Sequence, residues 1–313
     1  MIETLSGILR RTKVLAVIAL SGIVLTAFAP LVSAESLEEG PLKRNGWTIS
    51  VVPYLWMPSI IDGTITLIGQ KEDVDVNTLD IVDELLKDFQ LAVMVDLEVR
   101  KDRIGLFVNP FFIDLRAEEN KTILPGTILE VDIKADVTME MLILGFGVNY
   151  RLGPYELGKG TRTGMPRLIV EPYLGGRWSD IDVKLDIMIT RSRSFDENVG
   201  WADPMFGVRT IWELNPHWNI MIGGDVGGFG VGSDLAWSVT GLVGWRFRIT
   251  KRVLGTVVWG YRALYQDYER GSGIDKFEYD ITMHGPFVGF NFGFGMVKER
   301  TEEARKRVSL NSQ

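Results

Sequence analysis

The chain has 313 residues, a formal net charge of −7, 34 glycines, nine tryptophans and no cysteine. Because cysteine is absent, the sequence excludes disulfides, thiol chemistry and a lipid-attachment cysteine. Charges of both signs are mixed along the chain without a dominant basic face, which argues against nucleic acid as a partner.

The first 34 residues have the three parts of a secretory signal peptide. Residues 10–13 carry three positive charges, residues 14–28 are apolar, and residues 32–34 form a small-residue cleavage site. The alternative is a single membrane anchor, but the cleavage site follows the apolar run at once. Residues 35–46 are predicted to be a polar leader. Beyond residue 34 no stretch approaches the roughly 18–20 apolar residues of a spanning helix, so an exported chain is predicted to be soluble or a β-barrel.

Residues 47–296 are predicted to form one all-β domain, an antiparallel transmembrane β-barrel of about ten strands, within a range of eight to twelve. Residues 60–76 are either an extra hairpin or an extension of the first strand. Residues 78–87 depart from the two-residue period, and their leucines at helical spacing predict one short amphipathic helix. Long strands follow, with apparent changes of alternation near Met141 and Ser179 that predict bulges.

The segment from Ser233 to Ile249 carries the clearest alternation of apolar and polar residues in the chain. Its apolar face holds two tryptophans and a phenylalanine, and it is longer than the usual globular strand of roughly 5–6 residues. This pattern is typical of a strand that crosses a bilayer with an apolar face to lipid and a polar face to a lumen. Lipid-facing aromatic residues are predicted at Phe89, Trp237, Trp245, Phe247, Phe290, Phe292 and Phe294.

The connections between strands alternate in length. Minimal turns at 101–102, 215–216 and 250–251 alternate with longer or more polar connections. Short periplasmic turns and longer outer loops are typical of outer-membrane barrels, whose two termini are both periplasmic. The charged residues 297–313 are predicted to be a periplasmic tail.

Several segments together resemble a family of uncharacterised outer-membrane barrel proteins of Gram-negative bacteria. They are Pro53-Tyr54-Leu55-Trp56, the predicted helix before Phe89, the run Gly224 to Asp234, Tyr261-Arg262-Ala263-Leu264, Tyr279-Asp280 and Gly285-Pro286. The resemblance covers nearly all of the mature chain. It implies a barrel fold and an outer-membrane location but no activity, because the family has none established. The expected partners are therefore outer-membrane lipid and, during biogenesis, the barrel-assembly machinery. The aromatic residues at 290–294 have the spacing of a terminal barrel strand, although a tail follows them.

Alternation also predicts which charged side chains point into the lumen. They are Asp96, Glu98, Arg100, Glu140, Glu171, Arg177, Asp203, Arg209, Glu213, Asp225, Arg246, Arg262, Glu278 and Asp280. Charges inside a narrow barrel must be paired or hydrated, because isolated burial is very costly. Either arginine–carboxylate pairs close the interior, or the charges line a narrow water path for small solutes. A ten-stranded barrel is only slightly wider than the size that side chains can fill, which favours the closed interior.

Catalytic and cofactor motifs are weak. The glycine-rich run 224–234 lacks the lysine and the following helix of a phosphate-binding loop, so it is predicted to be a hairpin rather than a phosphate or cation site. His217 lies at a predicted rim, and His284 shares its predicted lumen face with Glu278 and Asp280. No G-x-S-x-G motif accompanies either histidine. No catalytic, cofactor-binding or metal-binding residue is predicted.

The sequence therefore predicts an integral outer-membrane β-barrel without enzymatic activity, either a structural or surface-interaction barrel or a narrow small-solute channel. Its solute or envelope partner is left open. The alternative is an exported soluble β-barrel with reversed faces, in which Trp237, Trp245 and Phe247 line an apolar ligand cavity. The third hypothesis is an outer-membrane lipid-modifying enzyme that uses His284.

Overall fold

The computed structural model of the chain is all-β. It describes residues 47–58, 60–67, 70–77, 91–123, 131–157, 166–188, 192–250, 253–273 and 276–296. The predicted signal peptide, leader, helix at 78–87, residue Phe89 and C-terminal tail lie outside the described residues. Among the described residues, no helix has the length and apolar character needed to cross a membrane.

The described ranges contain thirteen strands. They are β1 (Trp47–Trp56), β2 (Ile60–Leu67), β3 (Gln70–Asn77), β4 (Leu91–Lys101), β5 (Ile104–Ile123), β6 (Val131–Tyr150), β7 (Leu152–Glu156), β8 (Arg167–Met188), β9 (Ser192–Glu213), β10 (Trp218–Gly228), β11 (Leu235–Arg248), β12 (Val253–Arg270) and β13 (Phe277–Met296).

Ten of these strands form a closed antiparallel barrel. Their order is β1-β4-β5-β6-β8-β9-β10-β11-β12-β13, and β13 pairs back to β1. This confirms the predicted fold class and strand number. The β2–β3 pair extends the sheet from β13, at residues 278–284, so Ile60–Leu67 and Gln70–Asn77 are an extra pair of strands rather than an extension of β1, as one of the two predictions for residues 60–76 had it. The short strand β7 pairs with the start of β8.

The barrel has two halves that differ in how β1 contributes to the wall. Strand β1 begins beside the end of β13 and beside Lys101, at the end that also carries the turns around 102–103 and 214–217. We call this the proximal end. The proximal half is the part of the barrel that β1 completes, up to Trp56. The distal half lies beyond Trp56, where β5, β6, β8 and β9, each 20–22 residues long, extend as two tall hairpins.

The two faces of the wall exchange their character between these halves. In the proximal half the outward face is apolar and exposed: Leu174 is 68% exposed, and Val239 and Ile222 are each 50% exposed. In the distal half the inward face is apolar and buried. Its core contains Trp56, Met94, Phe111, Ile113, Met141, Ile143, Ile181, Val199, Trp201, Leu264, Tyr268, Phe277, Tyr279, Ile281, Met283 and Phe287. These side chains fill the lumen on the distal side.

The exchange of faces happens without any break in strand register. The β5–β6 ladder runs unshifted from Ile104 to Ile123, and the β6–β8 and β8–β9 ladders pass Met141 and Ser179 equally evenly. The predicted bulges near Met141 and Ser179 are therefore wrong. The alternation in sequence changes there because the surroundings of each face change, while inward positions remain inward.

The distal wall is low at the β10–β11 hairpin, which the glycine-rich run forms as predicted. Gly228, Phe229 and Gly230 all have positive φ, which produces the tight turn. The turn folds between its neighbours, because the Ser233 N–H donates to Asp203 Oδ1 of β9 at 2.6 Å and the Asp234 N–H donates to the β12 backbone at 2.8 Å. Asp234 itself is exposed at this turn.

Above the turn, β9 and β12 meet through their side chains. The Trp201 ring stacks on the Tyr268 ring with centroids 4.3 Å apart and planes at 9°. Tyr279 of β13 lies 5.9 Å from the same indole. The distal core is thus continuous across the place where the barrel wall is shortest.

Candidate functional site in the barrel lumen

The inward face of the proximal half surrounds a cavity of about 410 Å³. Charged and amide side chains from β4, β6, β8, β9, β10 and β12 line its polar part, and Trp56, Leu242, Val258 and Phe287 line an apolar part. The lining reaches Thr48, Asn219 and Leu254 at the proximal ends of their strands. The apolar core of the distal half lies at the other end.

Glu171 is the centre of the charge network in this lumen. Its side chain is 0% exposed, and its Oε1 accepts from Arg100 at 2.8 Å and from Arg151 at 2.5 Å. Its Oε2 accepts from Arg209 Nε, and Arg209 also pairs with Glu98. Two carboxylates therefore bridge three guanidinium groups, which satisfies charges that burial alone would destabilise.

Asparagine and glycine residues complete the fit of this network. Asn149 accepts from Arg100 at 2.6 Å and donates to Glu98 Oε2 at 3.2 Å. Gly105 lies opposite Arg100, and a Cβ there would approach Asn149 Oδ1 to 2.5 Å. A Cβ at Gly223 would approach the Arg209 Cβ to 2.9 Å. The inward glycines thus leave the space that the long ion-paired side chains occupy.

A second cluster surrounds Asp225 on β10. Its carboxylate accepts from Arg177 at 2.5 Å, from the Tyr173 hydroxyl at 3.1 Å and from the Ser238 hydroxyl at 2.5 Å. Arg177 is only 4% exposed, and its Nη1 is buried with no hydrogen-bond partner. This one donor of Arg177 therefore has no acceptor among the described residues.

The Arg262 side chain lies beside the apolar part of the cavity. Its Nη1 donates to the Tyr54 hydroxyl at 2.9 Å, and the guanidinium lies 5.3 Å from the centroid of the Trp56 ring. Its Nε is buried without a partner. Asp96 accepts from the Asn109 amide at 2.8 Å instead of pairing directly with this arginine.

Most of the predicted lumen charges lie on the inward face. In the proximal half these are Asp96, Glu98, Arg100, Glu171, Arg177, Arg209, Glu213, Asp225, Arg246 and Arg262. Glu213 and Arg246 form their own pair at 3.1 Å near the proximal end. Asp203 is also inward but lies in the distal half, where it accepts from the Trp201 indole at 3.2 Å.

The predicted lumen position of three residues is corrected. Glu140 alternates with the buried Met141 on β6, and Glu278 and Asp280 alternate with the buried Tyr279 on β13, so all three lie on the outward face. Glu278 accepts from the Thr66 hydroxyl of β2 at 3.0 Å. The prediction failed because these residues belong to the distal half, where polar side chains point out and apolar side chains point in.

Sequence reasoning missed several partners of the charge network. Arg151 follows the end of β6 and was not among the predicted lumen charges, yet it pairs with Glu171. Tyr54, Tyr173, Asn109 and Asn149 carry no charge, so a search for charged residues passed over them. Their inward parity on long strands was the available signal.

The predicted lipid-facing aromatic residues lie on the outward face of the proximal half wherever they are described. Trp245, Phe247, Phe290 and Phe292 form a continuous chain of rings, with centroids 4.5–5.8 Å apart. Trp237 stacks on Tyr265 with centroids 5.8 Å apart. On the same face, Phe294 packs against the cluster Ile49, Val51 and Leu97.

Neither histidine lies in the lumen. His284 faces outward, where its Nδ1 contacts the Tyr261 hydroxyl at 2.5 Å, so its predicted lumen position is corrected. His217 lies at the proximal turn and its Nδ1 is 3.1 Å from the Arg246 carbonyl. Within the described ranges, no three histidine or acidic side chains are grouped so as to hold a metal ion.

No protein-family model matches this sequence, and no curated protein matches it. Among solved structures, the barrel is similar to Ail, the attachment invasion locus protein of Yersinia pestis, with 10% identity and a TM-score of 0.31 over 80% of this chain and 99% of that chain. It is similar to the outer membrane protease OmpT of Escherichia coli, with 10% identity and a TM-score of 0.39; the match covers 83% of this chain and 100% of that chain. It is also similar to Neisserial surface protein A, with 12% identity and a TM-score of 0.22; the match covers 80% of this chain and 96% of that chain. At these values the likenesses carry no argument about function, and the barrel fold rests on the strand pairing itself.

Proposed function

We propose that this protein is an integral outer-membrane β-barrel with a closed lumen, which acts as a structural or surface-interaction element of a Gram-negative envelope. The observation that carries this proposal is the reversal of the two faces between the halves. A wall that is apolar outside and charged inside suits lipid, and a wall that is polar outside and apolar inside suits water. One set of strands meets both conditions in succession.

The height of the outward apolar belt supports a membrane span. On β11, the outward Phe247 and Trp237 are ten residues apart, which is about 34 Å along a strand and about 26 Å along a barrel axis at a tilt of ~40°. Outer-membrane barrels carry an apolar band of about 25 Å between aromatic girdles. The proximal half is therefore the proposed membrane-spanning part, and the distal half projects beyond the outer surface.

A closed lumen is supported by both halves. Ion pairs between Glu171, Glu98 and their arginines narrow the proximal lumen, and the Trp201–Tyr268 stack and its neighbours occupy the distal lumen. The soluble alternative requires Trp237, Trp245 and Phe247 to line an internal cavity, and their outward positions argue against it. The outward position of His284 argues in the same way against a lumenal catalytic base.

The export signal and the family resemblance read from the sequence agree with this proposal. A signal peptide would bring the chain to the periplasm, from which barrels reach the outer membrane. The lipid and assembly partners follow from that location.

Membrane fractionation tests the location. We expect the protein in the outer-membrane fraction, released by detergent and not by high salt or carbonate, with a band that shifts on a gel only after heating. Recovery of a folded protein in the soluble fraction without detergent contradicts an integral barrel.

Conductance in planar bilayers tests the closed lumen. We expect no stable channel from the folded, unaltered protein. The matched comparison is the double variant Trp201→Ala/Tyr268→Ala, which lacks the stacked rings of the distal lumen. Reproducible open channels from the unaltered protein would identify it as a narrow solute channel instead.

A search for hydrolase activity on outer-membrane lipid tests the absence of catalysis. We expect no turnover above the level given by the His284→Ala variant. Turnover that disappears on this substitution would overturn the non-enzymatic assignment.

A further inference from the structure

The proximal cavity contains more cationic than anionic groups. Among the described residues, six arginines and four carboxylates line it, and the fully buried Glu171 pairs with the lining Arg100 as a fifth carboxylate. Five of the arginines have a carboxylate within 4 Å, as the ion pairs above specify. Arg262 is the sixth. Asp96 and Asp225 act on it only through space, without a contact of ion-pair length in the described part of the chain.

The unused edge of the Arg262 guanidinium has the geometry that binds carboxylates. Nη1 is held by Tyr54, while Nε is buried and has no acceptor. Nε and Nη2 form the edge that makes two parallel N–H···O bonds to a carboxylate. A buried donor without a partner is costly, so this edge favours an acceptor that the described residues do not supply.

A second unpartnered donor lies near the same space. Arg177 is 4% exposed, lines the cavity, and has a buried Nη1 without an acceptor. It reaches Asp225, which is paired with Ser238 on β11, one strand away from the strand of Arg262. Asp225 and Arg262 are therefore two strand spacings apart, about 10 Å, and both arginines line the same cavity.

The apolar part of the cavity indicates the rest of the ligand. Trp56 lies against Arg262, and Leu242, Val258 and Phe287 continue the apolar lining. The volume of about 410 Å³ falls within the range of roughly 300–1,000 Å³ that is usual for small-molecule sites. A single excess positive charge next to an apolar wall suits a monoanion with a hydrocarbon or aromatic body.

We propose that the proximal cavity is a binding site for a small amphiphilic monocarboxylate, which enters from the proximal end. The carboxylate binds the Nε–Nη2 edge of Arg262 with Arg177 as a second donor, and the body of the ligand packs on Trp56. This inference goes beyond the proposed envelope function and needs only the folded barrel, so a positive or negative conductance result does not decide it.

Ligand binding is measured on the full chain folded in detergent, with 4-fluorobenzoate as the probe and ¹⁹F NMR line broadening as the signal. Benzyl alcohol serves as the uncharged analogue and inorganic phosphate as the competing anion. We expect saturable binding of the benzoate, no comparable binding of the alcohol and little displacement by phosphate.

Variants of the chain locate the site. Arg262→Gln removes the positive charge and the two-donor Nε–Nη2 edge. We expect the affinity for 4-fluorobenzoate to weaken by at least about tenfold, which corresponds to the loss of a charge-assisted hydrogen bond. Arg103→Gln changes an exposed arginine at a proximal turn and serves as the matched control, with binding unchanged. Arg262→Lys keeps the charge without the fork and remains informative if the glutamine variant does not fold; it is expected to bind more weakly than the unaltered chain.

Three results overturn the proposal. One is the absence of saturable benzoate binding by protein whose folding is verified by the heat-dependent gel shift. Another is equal binding by a folded Arg262 variant. The third is equal affinity for benzyl alcohol or full displacement by phosphate at matched concentration, because neither depends on a carboxylate with an apolar body.

Discussion

The proximal and distal halves of this barrel fill their lumens with side chains of opposite polarity. The proximal lumen is held by ion pairs around Glu171, and its outer wall is apolar, as at Leu174. The distal lumen is held by apolar packing around Trp201 and Tyr279, and its outer wall carries Glu278 and Asp280. The same strands pass through both halves in one unbroken register. Alternation along a strand therefore reports a contrast between two faces, and the surrounding medium decides which face is polar.

The largest expected effect comes from the centre of the proximal network. Glu171→Gln removes a buried charge that pairs with Arg100, Arg151 and Arg209, and leaves guanidinium groups uncompensated. We expect the free energy of unfolding to fall by about 5 kcal/mol, at the upper end of the range for breaking a buried ion pair. Urea unfolding in lipid vesicles measures it, with the exposed Glu156→Gln as the control. An equal, small effect of both substitutions would mean that the network is hydrated rather than paired.

The distal core is probed by Trp201→Ala. This change deletes the indole that stacks on Tyr268 and contacts Tyr279. Removing a buried tryptophan costs about 3–5 kcal/mol, and we expect a loss near 4 kcal/mol in the same unfolding experiment. The Tyr279→Phe variant is the control, because the Tyr279 hydroxyl is buried without a partner. If its removal destabilises as much as the loss of the indole, packing is not what holds the distal half together.

The boundary between the two halves is tested by introducing an arginine at one outward position on each side of it. Leu174→Arg places a charge on the outward face of the proximal half, and Asn198→Arg places one on the exposed outward face of the distal half. An arginine on the lipid face near the bilayer centre destabilises by about 2–4 kcal/mol, whereas one in water has little effect. We expect that difference in the free energy of unfolding measured in lipid vesicles. Equal effects at both positions would contradict a membrane boundary between the two halves.

The smallest expected effect concerns Asp267, on β12 beyond the proposed membrane-spanning part. Burial raises the pKa of its carboxyl, and the carboxylates of Asp280 and Asp234 raise it further. A group whose pKa is higher in the folded protein binds its proton more tightly there, so the free energy of unfolding falls as the pH rises through that pKa. We expect Asp267→Asn to stabilise the protein at neutral pH by less than about 1 kcal/mol, since solvent screens the site.

Unfolding midpoints at neutral pH and at a pH below the ordinary aspartate value compare Asp267→Asn with the unaltered chain. The stabilisation should vanish in acid, where both proteins are uncharged at this position, and should shrink at high salt. A difference that persists unchanged in acid would exclude repulsion between carboxylates as its cause.

The sequence was sufficient to predict the barrel, its strand number and the inward charges of the proximal half. Regular alternation, as on β11, determines which residues share a face, and the aromatic residues Trp245 and Phe247 identified the outward one. The sequence was insufficient beyond the proposed membrane surface. Glu140 and Asp280 were assigned to the lumen because a charge was taken to mark the inward face, which holds only where the outside is lipid.

The details of the lumen site depend on tertiary contacts that alternation does not specify. That Glu171 binds three arginines, or that Arg262 binds a tyrosine instead of a carboxylate, is decided by side-chain reach across several strands. Glycines opposite these residues make that reach possible, as Gly223 does for Arg209. A pattern of spacing along one strand contains no information about which neighbour across the barrel a long side chain will meet.

The β2–β3 pair has a consequence for the order of folding. In the described sheet these two strands pair outside themselves only with β13, and Ile60 lies opposite His284, 224 positions further along the chain. A contact of such sequence separation forms late, because the intervening chain must be ordered before the two segments meet. The edge of β2 that pairs with β13 therefore stays unpaired until β13 has been synthesised. An unpaired edge of this kind promotes aggregation unless another protein covers it.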